Sequence, residues 1–146
     1  MGKPKVYLAA PILGHPDGRL LASQLLEALI RVGLDIVNPW VTGGPDAAQP
    51  REIYLRDTAL IEAADGLVAE VTLPSLGVGY EIAYALCRGK PVAALAREGA
   101  RVSRLIQGIQ SPRFMFHTYA DPLEAARLAA GFIGRGRPGR ASGNII

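Results

Sequence analysis

Gly66-Leu67-Val68-Ala69-Glu70-Val71-Thr72-Leu73-Pro74-Ser75-Leu76-Gly77-Val78-Gly79-Tyr80-Glu81 reads as a strand, a glycine-rich turn and the opening of a helix. Residues 66–71 form an apolar run of strand length. Residues 72–78 contain Pro74 and Gly77 and predict a turn. Residues 79–88 predict a helix, closed by Gly89.

Outward from this stretch the same alternation continues. Residues 6–10 (VYLAA) are an apolar strand ending in the loop Pro11-Ile12-Leu13-Gly14. Residues 19–32 place Leu21, Leu25, Leu29 and Val32 at helical spacing, and Gly33 stops them. Residues 35–38 (DIVN) read as a short strand. Residues 39–50 hold Gly43-Gly44-Pro45 and read as a loop, long for a small domain and so a candidate functional one. Residues 51–64 are helical, with Ile53, Leu60 and Ile61 on one side. A strand at 91–96, a short helix at 102–109, a strand at 114–118 and a helix at 122–133 follow.

Alternating helices and strands, with the strands apolar on both faces, predict an α/β fold with a parallel sheet covered on both sides. Five such strands fit a flavodoxin-like, doubly wound arrangement. Ligands bind such sheets beyond the carboxyl ends of the strands, near the switch point. The loops at 11–14, 72–78 and 119–122 are therefore the places to look. One domain is expected over 1–134, and a flexible basic tail over 135–146.

The bulk numbers narrow the function classes. Hydrophobic residues make up 49% of the 146, enough for a sizeable core. A single cysteine, Cys87, excludes a disulfide framework and a multi-cysteine zinc site, and points to a reducing compartment. It reads as a small buried side chain. No signal peptide is visible and no apolar run approaches the ~18 residues of a membrane span, so a cytoplasmic protein with no membrane partner is expected. The net charge of +3 favours anionic ligands such as phosphates. Much of that charge lies in the Gly/Arg-rich tail, which reads as a solvated end, and a nucleic-acid partner is not expected.

The chemistry concentrates after the third strand. A helix start exposes unpaired N–H groups and positive partial charge, which hold phosphates. Gly77 and Gly79 let a ligand approach the backbone, and Ser75 adds a hydroxyl donor. Glu81 sits near this helix start, where the dipole is expected to keep it ionised. An ionised carboxylate there can attack an anomeric carbon, or it can merely complement the dipole. Asp57, in Tyr54-Leu55-Arg56-Asp57, is a helical carboxylate that can equally be an exposed partner of Arg56 or Arg51. Tyr7 can be a core tyrosine. Trp40 can stack on a nucleobase or cover the core. His15 and His117 lack metal-ligand spacing.

The stretch 68–81, together with Tyr7-Leu8-Ala9-Ala10-Pro11 and Gly89-Lys90-Pro91-Val92, resembles the nucleoside 2-deoxyribosyltransferase superfamily. Within it, the likeness is to the 2′-deoxynucleoside 5′-monophosphate N-glycosidases. The resemblance spans residues 6–120. It implies that Glu81 is the nucleophile on C1′ of the deoxyribose, that Asp57 serves proton transfer and hydroxyl contacts, and that Tyr7 positions the sugar and the glutamate. It also implies that Ser75, Gly77 and Gly79 hold the 5′-phosphate, with Ala10 and Ile12 lining the substrate site after the first strand. A serine at position 75 favours a phosphate; the transferases place an aspartate there, which would repel it.

The chain departs from the hydrolases at Pro11 and Leu13, where they place a serine and an arginine that touch phosphate. Arg19 is the candidate replacement. The resemblance further implies a homodimer in which a serine of the neighbour completes the phosphate site, and Ser111 lies close to that place. A small-molecule nucleotide is the expected substrate, and no metal or organic cofactor is required. The alternatives are a base-exchanging deoxyribosyltransferase, a ribonucleotide hydrolase of the CMP type, a non-catalytic nucleotide-binding module, and an RNA-binding protein using the tail.

Overall fold

In the computed structural model, residues 2–11, 15–43 and 46–136 are described. Five strands run in chain order as β1 (Lys5–Ala9), β2 (Asp35–Ile36), β3 (Gly66–Glu70), β4 (Val92–Arg97) and β5 (Phe114–Tyr119). Between and after them lie α1 (Pro16–Arg31), a 3₁₀ turn (Pro39–Thr42), α2 (Pro50–Ala63), α3 (Leu76–Cys87), α4 (Arg104–Gln107) and α5 (Pro122–Arg135). The strands pair in the order β2-β1-β3-β4-β5, all parallel. This is the flavodoxin-like order, with its switch point between β1 and β3.

Alternate side chains of each strand feed two separate cores. Val6, Leu8, Val68, Ala93, Leu95 and Tyr119 pack under α1 and α5. Tyr7, Ala9, Leu67, Ala69, Val92 and Ala94 pack under α2 and α3. The central strands are buried on both faces, which is why they read as continuous apolar runs. Each fully buried leucine or isoleucine, such as Leu8, Leu67 and Ile82, stabilises the fold by roughly 1.5–3 kcal/mol.

Several boundaries differ from expectation, each for a local reason. α1 begins at Pro16 rather than 19, because proline suits the first helical position, where no N–H is needed. Its start lies close against the end of β1: a Cβ on Gly18 would come within 1.9 Å of the Pro11 carbonyl oxygen, so only glycine fits there. α3 begins at Leu76 rather than 79. Ser75 caps it, its Oγ accepting the Val78 N–H at 3.3 Å, so Gly77 lies inside the helix instead of in a turn, and Gly79 lies one turn in instead of opening it.

β2 is shorter than 35–38. Beyond Ile36, the buried side chain of Asn38 takes over the pairing: its Oδ1 accepts the Leu8 N–H and its Nδ2 donates to the Leu8 carbonyl, both at 2.8 Å. The helix expected over 102–109 contracts to α4, and α5 continues to Arg135. Cys87, expected to be buried, ends α3 exposed. Among the described residues no helix is long and apolar enough to cross a membrane. The expected tail from 137 onward, and Ile12 and Leu13, lie outside the described residues.

Candidate active site

Three of the anticipated residues converge on the α2/α3 side of the switch point. Tyr7 points up from β1, Asp57 comes from α2 and Glu81 from the second turn of α3. Tyr7 is 4% exposed. The Glu81 and Asp57 carboxylates stand near its hydroxyl, and burial together with these carboxylates pushes it far above the ordinary tyrosine range. The phenol therefore stays an O–H donor.

Glu81 is raised from an ordinary 4.5 to about 7, chiefly by burial; the Tyr7 hydrogen bond pulls it down and the Asp57 charge pushes it up. This corrects the expectation that the helix dipole keeps Glu81 ionised. The dipole effect falls off within the first turn, whereas Glu81 stands in the second turn, partly buried beside the tyrosine. The carboxyl is half-protonated near neutral pH, a state suited to a group that must change charge during a reaction.

Asp57 is anchored from its other side. Arg56 Nε donates to Asp57 Oδ1 at 2.8 Å, and the same guanidinium donates to Asp46 Oδ2 at 2.7 Å. Arg56 also lies over the Trp40 ring, 5.6 Å from its centroid. Trp40 is half exposed, so it neither fills the core nor stands free: one face carries the arginine. A line of contacts thus runs Trp40, Arg56, Asp57, and Tyr7 and Glu81 stand near its acidic end.

The start of α3 presents a second feature. Ser75 Oγ spends an acceptor position on the Val78 N–H, which leaves its O–H free to donate outward. A Cβ on Gly79 would meet nothing within 4 Å, and one on Gly77 only Ser75 Oγ at 3.9 Å. Among the described residues no packing calls for glycine at either place. A cavity of about 640 Å³ opens here, lined by Ser75, Val78, Gly79 and Ile82 from one side and by Arg101, Ser103 and Leu105 from the other. Glu81 is not on its wall. Gly77, four residues before Glu81, shares its face of the helix; Ser75 and Gly79 look into the cavity. The carboxylate and the cavity flank the same helix start.

The remaining anticipated residues are more dispersed. Ala10 is buried just past the end of β1. Arg19 is exposed in the first turn of α1, at the same edge of the sheet but on the α1 side. Ser111 precedes β5, its Oγ accepting the Arg113 N–H at 3.1 Å, and so lies at the amino end of the parallel strands, away from Ser75 in the same chain. Arg101 and Ser103 were not singled out from sequence. Ser103 carries a helix-cap signal, but only the tertiary fold brings either residue opposite Ser75. Among the described residues no cluster of His, Cys, Asp and Glu could hold a metal ion.

A doubly wound sheet thus carries a tyrosine and two carboxylates together at its switch point. A model of the nucleoside 2-deoxyribosyltransferase family matches residues 6–125. The chain belongs to this family and is an enzyme of the N-glycosidase type. Among its relatives, a Thermofilum pendens protein named provisionally as 2′-deoxynucleoside 5′-phosphate N-hydrolase 1 is 46% identical over 127 residues, covering 83% of this chain and 89% of that one. The mouse 5-hydroxymethyl-dUMP N-hydrolase is 36% identical over 125 residues, covering 80% and 72%. In structure, the chain is similar to BlsM, with a TM-score of 0.73 and 25% identity over 96% of this chain and 98% of that one.

Proposed function

We propose that the protein hydrolyses the N-glycosidic bond of 2′-deoxynucleoside 5′-monophosphates, releasing the free base and 2-deoxyribose 5-phosphate. The observation that carries this reading is the Glu81 carboxyl, partly buried beside Tyr7 and Asp57 and raised to about 7, next to a helix start whose glycines leave open space. The names of the relatives supply the substrate class.

In the first step Glu81 attacks C1′ as the C1′–N bond breaks and its electron pair leaves with the base, through an oxocarbenium-like transition state. Asp57, ionised beside Arg56, relays to the departing base a proton taken from solvent. In the second step Asp57 takes a proton from water, the water oxygen bonds to C1′, and Glu81 is released. Tyr7 donates to Glu81 and fixes its direction. The 5′-phosphate lies at the start of α3, against the Ser75 hydroxyl, with Gly77 and Gly79 allowing close approach. Arg19 and the cavity-lining Arg101 are the cations within this chain that stand in for the arginine replaced by Leu13. Ala10 lines the sugar side, and the free face of Trp40 stacks on the base.

The same reading takes a homodimer in the cytoplasm, with Ser111 of the neighbour reaching the phosphate. Leu76 and Leu105, 97% and 83% exposed beside the cavity, are the apolar surface that such a partner would cover. The single domain over 1–134 is proposed to carry the whole reaction, with the basic tail taking no part in it.

Incubation with each of the eight common NMPs and dNMPs, followed by chromatography for free base, tests the assignment. Release from dNMPs, with equimolar 2-deoxyribose 5-phosphate, is the expected result. Base exchange in the presence of a second free base would identify a transferase instead, and binding without release would remove the enzymatic reading.

A further inference from the structure

We propose that Glu70 is a positioning residue that holds the β3–α3 loop in its substrate-binding form, acting from the opposite face of the sheet; this rests on the phosphate site proposed above. Glu70 is 0% exposed and closes β3 on the α1/α5 side. A carboxylate in such a place needs full hydrogen bonding, and both oxygens have it. Oε1 accepts the Thr72 N–H at 2.6 Å, and Oε2 accepts the Tyr119 O–H at 2.5 Å. Burial and the Glu70 carboxylate push the Tyr119 hydroxyl above the ordinary range, so it remains a donor.

The network continues around the loop. Thr72 Oγ1 accepts the Arg97 N–H at 2.9 Å. The Arg97 guanidinium lies 5.3 Å from the Tyr119 ring centroid, and donates to the Ala120 carbonyl at 2.7 Å and to Gln24 Oε1 at 3.0 Å. The carboxyl ends of β3, β4 and β5 and the side of α1 are thereby tied to Thr72, which starts the four-residue path to Ser75. None of these groups reaches Glu81, which is fixed by the buried stripe Val78, Ile82 and Ala85 of α3. Loosening the loop therefore weakens capture of the phosphate and leaves the chemistry in place.

The test compares Glu70→Met, which keeps the bulk and removes both acceptors, with Glu70→Gln, which keeps one. Steady-state kinetics with a dNMP are combined with amide exchange measured by mass spectrometry. In Glu70→Met, KM rises on the order of tenfold with kcat within about twofold, and exchange quickens over 72–79 but not in β1 or β4. Glu70→Gln restores most of both. If Glu70→Met does not fold, Tyr119→Phe, which orphans Oε2, is judged by the same two readouts. Unchanged exchange over 72–79, or a fall in kcat at constant KM, overturns the proposal. A wild-type protein that releases no base would remove the proposed function, while the exchange result would still decide the role of Glu70 in the loop.

Discussion

Glu81 experiences three influences with separable signs. Burial raises it, the Tyr7 hydroxyl lowers it and the Asp57 charge raises it. A nucleophile must be ionised, so kcat/KM rises with pH through about 7 and levels off above it. Tyr7→Phe removes the lowering contact and moves this acid limb to higher pH, by about one unit. Asp57→Asn removes a like charge and moves the limb to lower pH. Profiles of kcat/KM for wild type and the two variants check this, and shifts in the same direction would refute the proposed geometry. Little of this was legible in the sequence. Tyr7, Asp57 and Glu81 stand on three elements, and no spacing rule joins them; resemblance singled them out, and the fold brought them together. The ionisation of Glu81 was misread because the dipole is visible in a sequence and burial is not.

At the scale of elements, the first two turns of α3 set stability against function. Gly79 lies inside the helix with open space where a side chain would stand. Alanine there improves helix propensity by about 1 kcal/mol and fills part of the space assigned to the substrate. Gly79→Ala is expected to raise Tm and to raise KM for dNMPs at least severalfold, measured by thermal denaturation and steady-state kinetics. A higher Tm with unchanged KM would take this helix face out of the site. The same glycines explain why the helix start was misplaced by three residues. Read alone they signal a turn, and the Ser75 cap that overrides them emerges only once the helix is seen. The strands β1, β3 and β4 were plainly legible, because double-sided burial leaves an uninterrupted apolar record. Glu70 interrupts that record, and its partner Tyr119 is 49 residues away, so nothing local could announce the pair.

For the molecule as a whole, the site carries a cost that pH exposes. Glu81 titrates near 4.5 when unfolded and near 7 in the fold. The folded state binds this proton more tightly, so its contribution is fully present below 4.5 and is lost as pH rises through 7. Glu81→Gln abolishes that dependence. Between pH 4.5 and pH 8 the variant should gain on the order of 1–3 kcal/mol relative to wild type, as measured by urea unfolding at both pH values. An equal difference at the two pH values would show that the carboxyl is not withdrawn from water. The variant thus offers a folded protein lacking only the reacting charge. The decisive measurement is its rate of base release from a dNMP at pH 8, beside that of wild type. The account predicts a fall of about a thousandfold or more. Release at an undiminished rate would contradict it.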